Sequence, residues 1–310
     1  MDSMPFDILA NHIATRVNPH ALAVVNRDFH SAITKTKWHK CYNHKSIEAS
    51  MARADNMLYE CSDFHNLFHE TCSVGNLTSV KYALERSTAS GLPCPTKKTY
   101  NGCYGGYPAI SSAAIYGHLH VIEYLVAHGA DVTIDNNEAV QLASEYGHLH
   151  VVKYLVSLGA DIDNNCVIRY AAQSGHLHIV KYLVSLGVDI TACGNDAVRW
   201  AAANGHLDVV KYLVSLDADI IYDVYIDLDD VARGGHLNMI KYLFQINPNM
   251  DIDYVLACAA IGPNIDLVKY LLAKGADVAY EDYRAVRRAL KYNCMDIFEL
   301  LLPYVRNSYA

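Results

Sequence analysis

One fifteen-residue segment recurs along this sequence at nearly constant spacing, and such self-similarity constrains a fold more than any local pattern does. The segment reads GHLHVVKYLVSLGAD from Gly147. Clear copies begin at Gly117, Gly175, Gly205 and Gly235, and weaker copies begin at Gly75, Pro263 and Asn293. From residue 117 onward the copies lie 28 or 30 residues apart. The spacing predicts about eight equivalent structural units over residues 66–310.

Each unit is predicted to contain two helices joined by a tight turn. In the second helix, apolar residues recur at helical spacing and predict one buried face, as in Leu149, Val152, Leu155 and Val156. Five residues after a recurrent tyrosine stands a residue type that tolerates the left-handed conformation ending a helix. These positions are Gly129, Gly159, Gly187, Asp217, Asn247 and Gly275. The first helix carries small residues, such as Ala171-Ala172 and Ala201-Ala202, which let stacked layers approach closely.

The units resemble ankyrin repeats, whose second helix commonly reads GHxxVVKxLLxxGAD, over about residues 66–306. The resemblance implies an all-α, ankyrin-type helical-repeat solenoid, in which each unit packs only on its neighbours. The period is shorter than the 33 residues of the family, and Asp196-Ala197-Val198-Arg199 stands where the family has Thr-Pro-Leu-His. Because the missing residues precede the first helix, the β-turn fingers are expected to be short or absent. The Tyr-rich, Asn-rich, truncated units also resemble the ankyrin proteins of giant DNA viruses of amoebae (mimivirus-like).

Residues 87–107 interrupt the regular spacing. The interval from Gly75 to Gly117 is 12 to 14 residues longer than the period of the array, and the excess lies in this Gly- and Pro-containing stretch. Such a composition predicts a surface-loop insertion. It contains no phosphate-binding pattern of glycines, so the loop is interpreted as either tolerated or functional.

Residues 1–65 do not follow the repeat and are predicted to form a separate helical segment. Within residues 3–34, the opening Met4-Pro5-Phe6-Asp7-Ile8-Leu9 and the later Val25, Phe29 and Ile33 resemble an F-box, although Ile13 sits one residue late and the middle is short. The resemblance implies that Pro5, Ile8, Leu9 and Val25 contact the small linker subunit of a cullin-type ubiquitin ligase. The other interpretation of this segment is an N-terminal cap that closes the solenoid.

Composition and charge narrow the possible partners. The chain is 52% hydrophobic and 19% charged, as in folded proteins. Its net charge of -8 falls entirely within residues 66–310, and an acidic array is a poor match for phosphate backbones, so nucleic acid is not expected as a partner. No apolar run is long enough to span a membrane. The nine cysteines are odd in number and include no CxxC, which favours a reducing intracellular setting. The resemblance to viral ankyrin proteins implies that this setting is the cytoplasm of a host cell.

Two recurrent residue types have structural interpretations. The HxH pairs, such as His148/His150, occur at the same turn of successive copies, so the first histidine is predicted to bind backbone between layers, and no metal site is expected. The recurrent tyrosines are predicted to pack against the adjacent repeat. They are Tyr82, Tyr124, Tyr154, Tyr182, Tyr212, Tyr242 and Tyr270. Because GxSxG and HExxH patterns are absent from the sequence, neither an enzyme nor a cofactor is expected.

Partner-specific contacts are expected where the copies differ while the framework repeats. In ankyrin proteins these positions are the finger tips and the exposed side of the first helix. By resemblance they are Asn136, Asn137, Gln141, Glu145, Tyr146, Asn164, Asn165, Arg169, Gln173, Asn195, Arg199, Trp200 and Asn204. Arg199 and Trp200 are residue types favoured as interface anchors, although Trp200 could instead fill a gap between layers. The sequence therefore predicts a monomeric, non-enzymatic scaffold that binds another protein through a concave face, or alternatively a substrate adaptor of a ubiquitin ligase.

Overall fold

The computed structural model describes residues 68–69, 71–89, 108–162, 166–218, 224–262 and 264–307. Within these ranges the chain forms helices and turns and contains no strand, which confirms the all-α prediction. The first helices of successive units, called here the inner helices, are α2 (Ala109–Ile115), α4 (Ile134–Glu145), α6 (Cys166–Gln173), α8 (Ala192–Ala203), α10 (Val224–Arg233), α12 (Ile252–Ala259) and α14 (Tyr280–Lys291). The second helices, called the outer helices, are α1 (Leu77–Ala89), α3 (Leu119–Ala127), α5 (Leu149–Ser157), α7 (Leu177–Ser185), α9 (Leu207–Val214), α11 (Leu237–Ile246), α13 (Ile265–Ala273) and α15 (Met295–Asn307).

The outer helices are amphipathic, and their apolar stripe forms the core. On α5, Val152 and Leu155 are fully buried, as the spacing predicts, while Leu149 and Val156 are only half-buried. Val151 is also fully buried, although it lies outside the predicted stripe. The buried face of α5 is therefore formed by Val151, Val152 and Leu155, and Leu149 and Val156 lie at its edges.

The inner helices pack closely through small residues, as predicted. Ala171, Ala172, Ala201 and Ala202 are all buried, and neighbouring inner helices approach one another along more of their length than neighbouring outer helices do. Since one side of the stack is more tightly spaced than the other, the array curves with its inner helices on the concave side. The exposed side of the inner helices is called the groove below.

Left-handed residues end most of the outer helices. Gly129, Gly159, Gly187, Asp217 and Gly275 all have positive φ, which confirms the predicted C-terminal caps at these five positions. The prediction of a left-handed cap is wrong for Asn247, which ends α11 with φ of -131°. The chain continues there as Pro248, whose ring restricts the preceding residue to extended conformations, and this restriction accounts for the difference.

Short left-handed turns replace the fingers in three units. Three consecutive residues with positive φ open each of α4, α8 and α14, namely Asp135-Asn136-Asn137, Cys193-Gly194-Asn195 and Glu281-Asp282-Tyr283. Left-handed conformation costs roughly 1–2 kcal/mol for an ordinary residue and less for Gly, Asn and Asp, which supply six of these nine positions. The prediction of short or absent β-turn fingers is therefore confirmed at the three turns.

Several predicted features lie outside the described residues. They include the whole F-box-like segment with Pro5, Ile8, Leu9 and Val25, and most of the loop predicted at 87–107. At the start of that loop, α1 continues to Ala89, so its first three residues are helical. The groove candidates Asn164 and Asn165 also lie outside the described part of the chain.

Candidate protein-binding groove

Large aromatic side chains lie along the groove on successive inner helices. Trp200 on α8 is 41% exposed, and Tyr146, which caps the C-terminus of α4, is 51% exposed. Tyr116, at the end of α2, and Tyr170, on α6, are half-buried. Trp200 therefore lies at the surface and does not fill a gap between layers. Tyr and Trp are among the residue types that most often anchor protein interfaces.

Polar contacts hold the backbone and the charged groups around Trp200. Asn204 lies one helical turn after Trp200, and its side-chain amide donates to the Trp200 carbonyl oxygen at 2.9 Å. The Arg199 guanidinium lies 3.4 Å from the Asp196 carboxylate. On the preceding inner helix, the Arg169 guanidinium stacks 4.3 Å from the centre of the Tyr170 ring. The middle of the groove thus presents two aromatic rings, each beside an arginine.

Asn137 does not contribute to the groove as predicted. Its side chain is buried, and its Oδ1 accepts a hydrogen bond from the backbone N–H of Asp161 at 2.9 Å. The left-handed turn directs this amide inward, where it ties one unit to the next. Its neighbour Asn136 is exposed, and the carbonyl of Asn136 accepts a 2.7 Å hydrogen bond from the Gln141 side chain.

The remaining predicted residues of the groove are partly accessible. Glu145, Gln173 and Asn195 are half-buried and Asn204 is exposed. Tyr170 was missed from the sequence, although it stands five residues before Gly175, as Trp200 does before Gly205. Comparing equivalent columns of the repeats would have found it.

The inner helices differ in charge along the array. Helix α4 carries Asp135, Glu138 and Glu145 and no basic residue. Burial raises the pKa of the Glu138 carboxyl. Helix α14, the last inner helix described, carries three arginines and Lys291 against two acidic residues. The inner helices are therefore acidic at α4 and basic at α14.

A partly buried polar network ties the last three inner helices together. Arg288 on α14 donates to the Ala257 carbonyl at 3.1 Å, and another of its nitrogens lies 3.3 Å from the Asp229 carboxylate. The same guanidinium lies 3.5 Å from Cys258 Sγ. Burial, and then the Asp229 carboxylate, raise the pKa of the Cys258 thiol to about 12. Since only a thiolate is a strong nucleophile, Cys258 serves packing in this network.

The recurrent histidines bind backbone between units, as predicted. His148 Nε2 donates to the Ile115 carbonyl at 2.9 Å, and His176 Nε2 donates to the Glu145 carbonyl at the same distance. The second histidine of each pair also binds the preceding unit, as His150 does at the Gly117 carbonyl. Within the described ranges, no group of three or more His, Cys, Asp or Glu could hold a metal ion.

The recurrent tyrosines are half-buried and pack against the core, as predicted. The structure also shows a contact that the sequence analysis missed. The lysine of one unit lies over the tyrosine ring of the next unit. Lys153 Nζ lies 5.4 Å from the centre of the Tyr182 ring, and Lys211 Nζ lies 5.5 Å from that of Tyr242. Both columns lie on the outer helices, away from the groove.

No helix in the described part of the chain is long and apolar enough to cross a membrane. A comparison with curated proteins found no match. The family model for ankyrin repeats, in units of three copies, matches residues 68–166, 140–223 and 228–308. These matches span most of the chain and coincide with the stacked helix pairs. The chain therefore belongs to the ankyrin-repeat family.

Proposed function

We propose that this protein binds another protein through the groove, with Tyr146, Tyr170, Arg199 and Trp200 as the central contacts. The exposure of Trp200 and Tyr146, which lie two units apart on the same surface, carries the proposal, because rings that are 41% and 51% exposed leave a large apolar area that folding does not cover. Membership of the ankyrin-repeat family supports a role in protein–protein interaction. The inner helices hold the contacts on a rigid framework, so little ordering of the groove is needed on binding.

The proposal is tested by replacing the two most exposed aromatic residues together, with Tyr146→Ala and Trp200→Ala. Both side chains are at least 41% exposed, so the free energy of unfolding should fall by no more than about 1–2 kcal/mol for each substitution and the variant should still fold. The matched control is Leu158→Ala with Leu186→Ala, since these leucines are similarly exposed but lie at the C-terminal ends of outer helices.

Affinity capture followed by quantitative mass spectrometry compares the three proteins. Binding at the groove predicts a partner that the wild type and the leucine control retain and that the aromatic variant loses. A partner retained equally by the aromatic variant would place binding elsewhere. Loss of folding in the aromatic variant would instead assign Trp200 or Tyr146 a structural role.

The F-box-like N-terminus favours a second candidate, a substrate adaptor in the cytoplasm of a host cell. In that function, residues 3–34 recruit the linker subunit of a cullin-type ubiquitin ligase, and the groove selects the substrate. Pro5→Ala with Leu9→Asp in the full chain should abolish capture of purified linker subunit without changing the melting of the array. Wild-type protein that never captures this subunit would leave residues 3–34 as a cap of the solenoid.

A further inference from the structure

On the last unit that the structure describes, one face carries large apolar side chains that stay exposed. In each earlier unit, this face of the inner and outer helix packs against the unit that follows. In the described part of the chain, no unit follows α15. The corresponding face of α14 and α15 is called the end face.

Leu290, on the end face, is larger and more exposed than the residues at the same position of the preceding units. Three residues before the turn, each of the six preceding inner helices has a small and buried residue. These residues are Ala114, Ser144, Ala172, Ala202, Ala232 and Ala260. Leu290 is 56% exposed. The close helix approach that alanine allows would be blocked by leucine, so whatever covers this face does not pack as another ordinary unit.

Three further apolar side chains extend the end face around Leu290. Met295 is 43% exposed, and Val286 and Phe298 are half-buried, although Val198 and Val210, the equivalents of the last two in an interior unit, are fully buried. Terminal units of repeat proteins normally need a polar outer surface to remain soluble. The end face departs from that requirement and has the character of an interface.

Charged residues lie on opposite rims of the end face. On the inner-helix rim, Arg287 and Lys291 are exposed and flank the stripe that carries Leu290. Arg287 lies 3.5 Å from the Asp282 carboxylate, so Lys291 supplies most of the positive charge of this rim. The outer-helix rim carries Glu299. Its position, six residues after the turn, is the one from which Lys153 reaches forward over the next unit, so Glu299 is placed to lean across the end face. One rim is therefore basic and the other acidic.

We propose that the end face binds a second copy of this chain, tail to tail, about a two-fold axis parallel to the helices. This symmetry lays α14 of each copy on α15 of the other, so that Leu290 meets Met295 and Val286 meets Phe298. It also places the basic rim of each copy against the acidic rim of the other. A two-fold axis perpendicular to the helices would instead bring the two basic rims together. This arrangement replaces the monomer expected from the sequence, and it leaves the groove open.

The size of the end face sets the expected strength of the dimer. Helix α15 contains 13 residues and is about 20 Å long, whereas the regular part of α14, residues 284–291 after its left-handed turn, is about 12 Å long. With an interaxial spacing of 8–10 Å, the face measures roughly 15 by 20 Å, or about 600 Å² of contact for the two copies together. This area belongs to weak, reversible complexes, and we expect a dissociation constant on the order of 10 µM.

Sedimentation velocity of the full chain over about 1 to 300 µM tests the dimer. We expect the sedimentation coefficient to rise from the monomer value to the dimer value across this range. Leu290→Asp should keep the chain monomeric throughout, whereas the matched control Leu186→Asp, at a leucine that is 45% exposed on an outer helix, should dimerise as the wild type does. A wild type that stays monomeric at every concentration, or a dimer that Leu290→Asp does not weaken, would overturn the proposal.

A charge exchange tests the orientation and does not depend on the apolar variant folding. Lys291→Glu alone and Glu299→Lys alone should each weaken dimerisation at least about tenfold at low salt, because each sets like charges against one another. Combining the two substitutions in one chain should restore the dimer, since both rims are then reversed in both copies. Failure of the combined variant to recover would contradict the two-fold arrangement.

Discussion

At the scale of the residue, two glycines of one unit have the same backbone conformation for different reasons. Gly147 and Gly159 have φ of 84° and 88°. A Cβ atom at Gly147 would lie 2.7 Å from the His176 ring, whereas one at Gly159 would meet no heavy atom within 4 Å. The sequence predicts a left-handed cap at Gly159 from its place after the helix. The histidine that occupies the space beside Gly147 becomes visible only when the units are stacked.

Alanine substitutions separate these two roles. Gly159→Ala should cost roughly 1–2 kcal/mol, the price of left-handed conformation for an ordinary residue. Gly147→Ala should cost at least about 1 kcal/mol more, because the new methyl group displaces His176 from its 2.9 Å hydrogen bond to the Glu145 carbonyl. Urea melts of the two variants measure the difference. Equal losses would contradict the stacking of the imidazole on the turn.

At the scale of the element, five outer helices begin directly after a histidine: His118, His148, His176, His206 and His236. Burial lowers the pKa of His148, His176 and His236, and the hydrogen bond of each ring to a backbone carbonyl opposes the shift. The ordinary pKa of histidine in the unfolded chain is about 6.5. Because protonation is easier in the unfolded chain, these histidines contribute their full stability above that pH, and it is lost as the pH falls toward their lower folded pKa values.

The free energy of unfolding should therefore decrease as the pH is lowered from about 7.5 to about 5.5. Asparagine is the natural control, since Asn264 replaces the histidine in its own unit and donates to the Gly235 carbonyl at 2.6 Å. A variant with His148→Asn, His176→Asn and His236→Asn should lose less stability over this pH range than the wild type. An unchanged pH dependence in this variant would assign the acid sensitivity to other groups.

The turns mark the limit of prediction at this scale. The shortened period correctly indicates that the fingers are missing, because too few residues separate one helix pair from the next. It does not indicate that the chain turns through three left-handed residues, and this turn is what buries the amide of Asn137. Asn247 was predicted from its column alone, and the following Pro248 outweighs that pattern.

At the scale of the whole molecule, the repeat period determines the fold and much less of the site. Buried small residues such as Ala201 and Ala202 can be predicted because every unit faces the same packing problem. Contact residues differ between units, so no periodic pattern identifies them, and the exposure of Trp200 could be decided only from its surroundings. The resemblance predicts contacts on the exposed side of the inner helices, which stays a prediction, and the structure adds Tyr170 to that surface.

Site-specific photo-crosslinking tests the central claim, that the groove holds a partner protein, most directly. A photoreactive phenylalanine derivative is placed at position 200 in the groove or at position 186 on an outer helix, and the full chain is irradiated in cells. Both wild-type side chains are exposed to a similar degree, so the two probes are equally accessible. Binding through the groove predicts a covalent adduct with a second protein from position 200 and none with that protein from position 186. An adduct from position 186 with none from position 200 would contradict it.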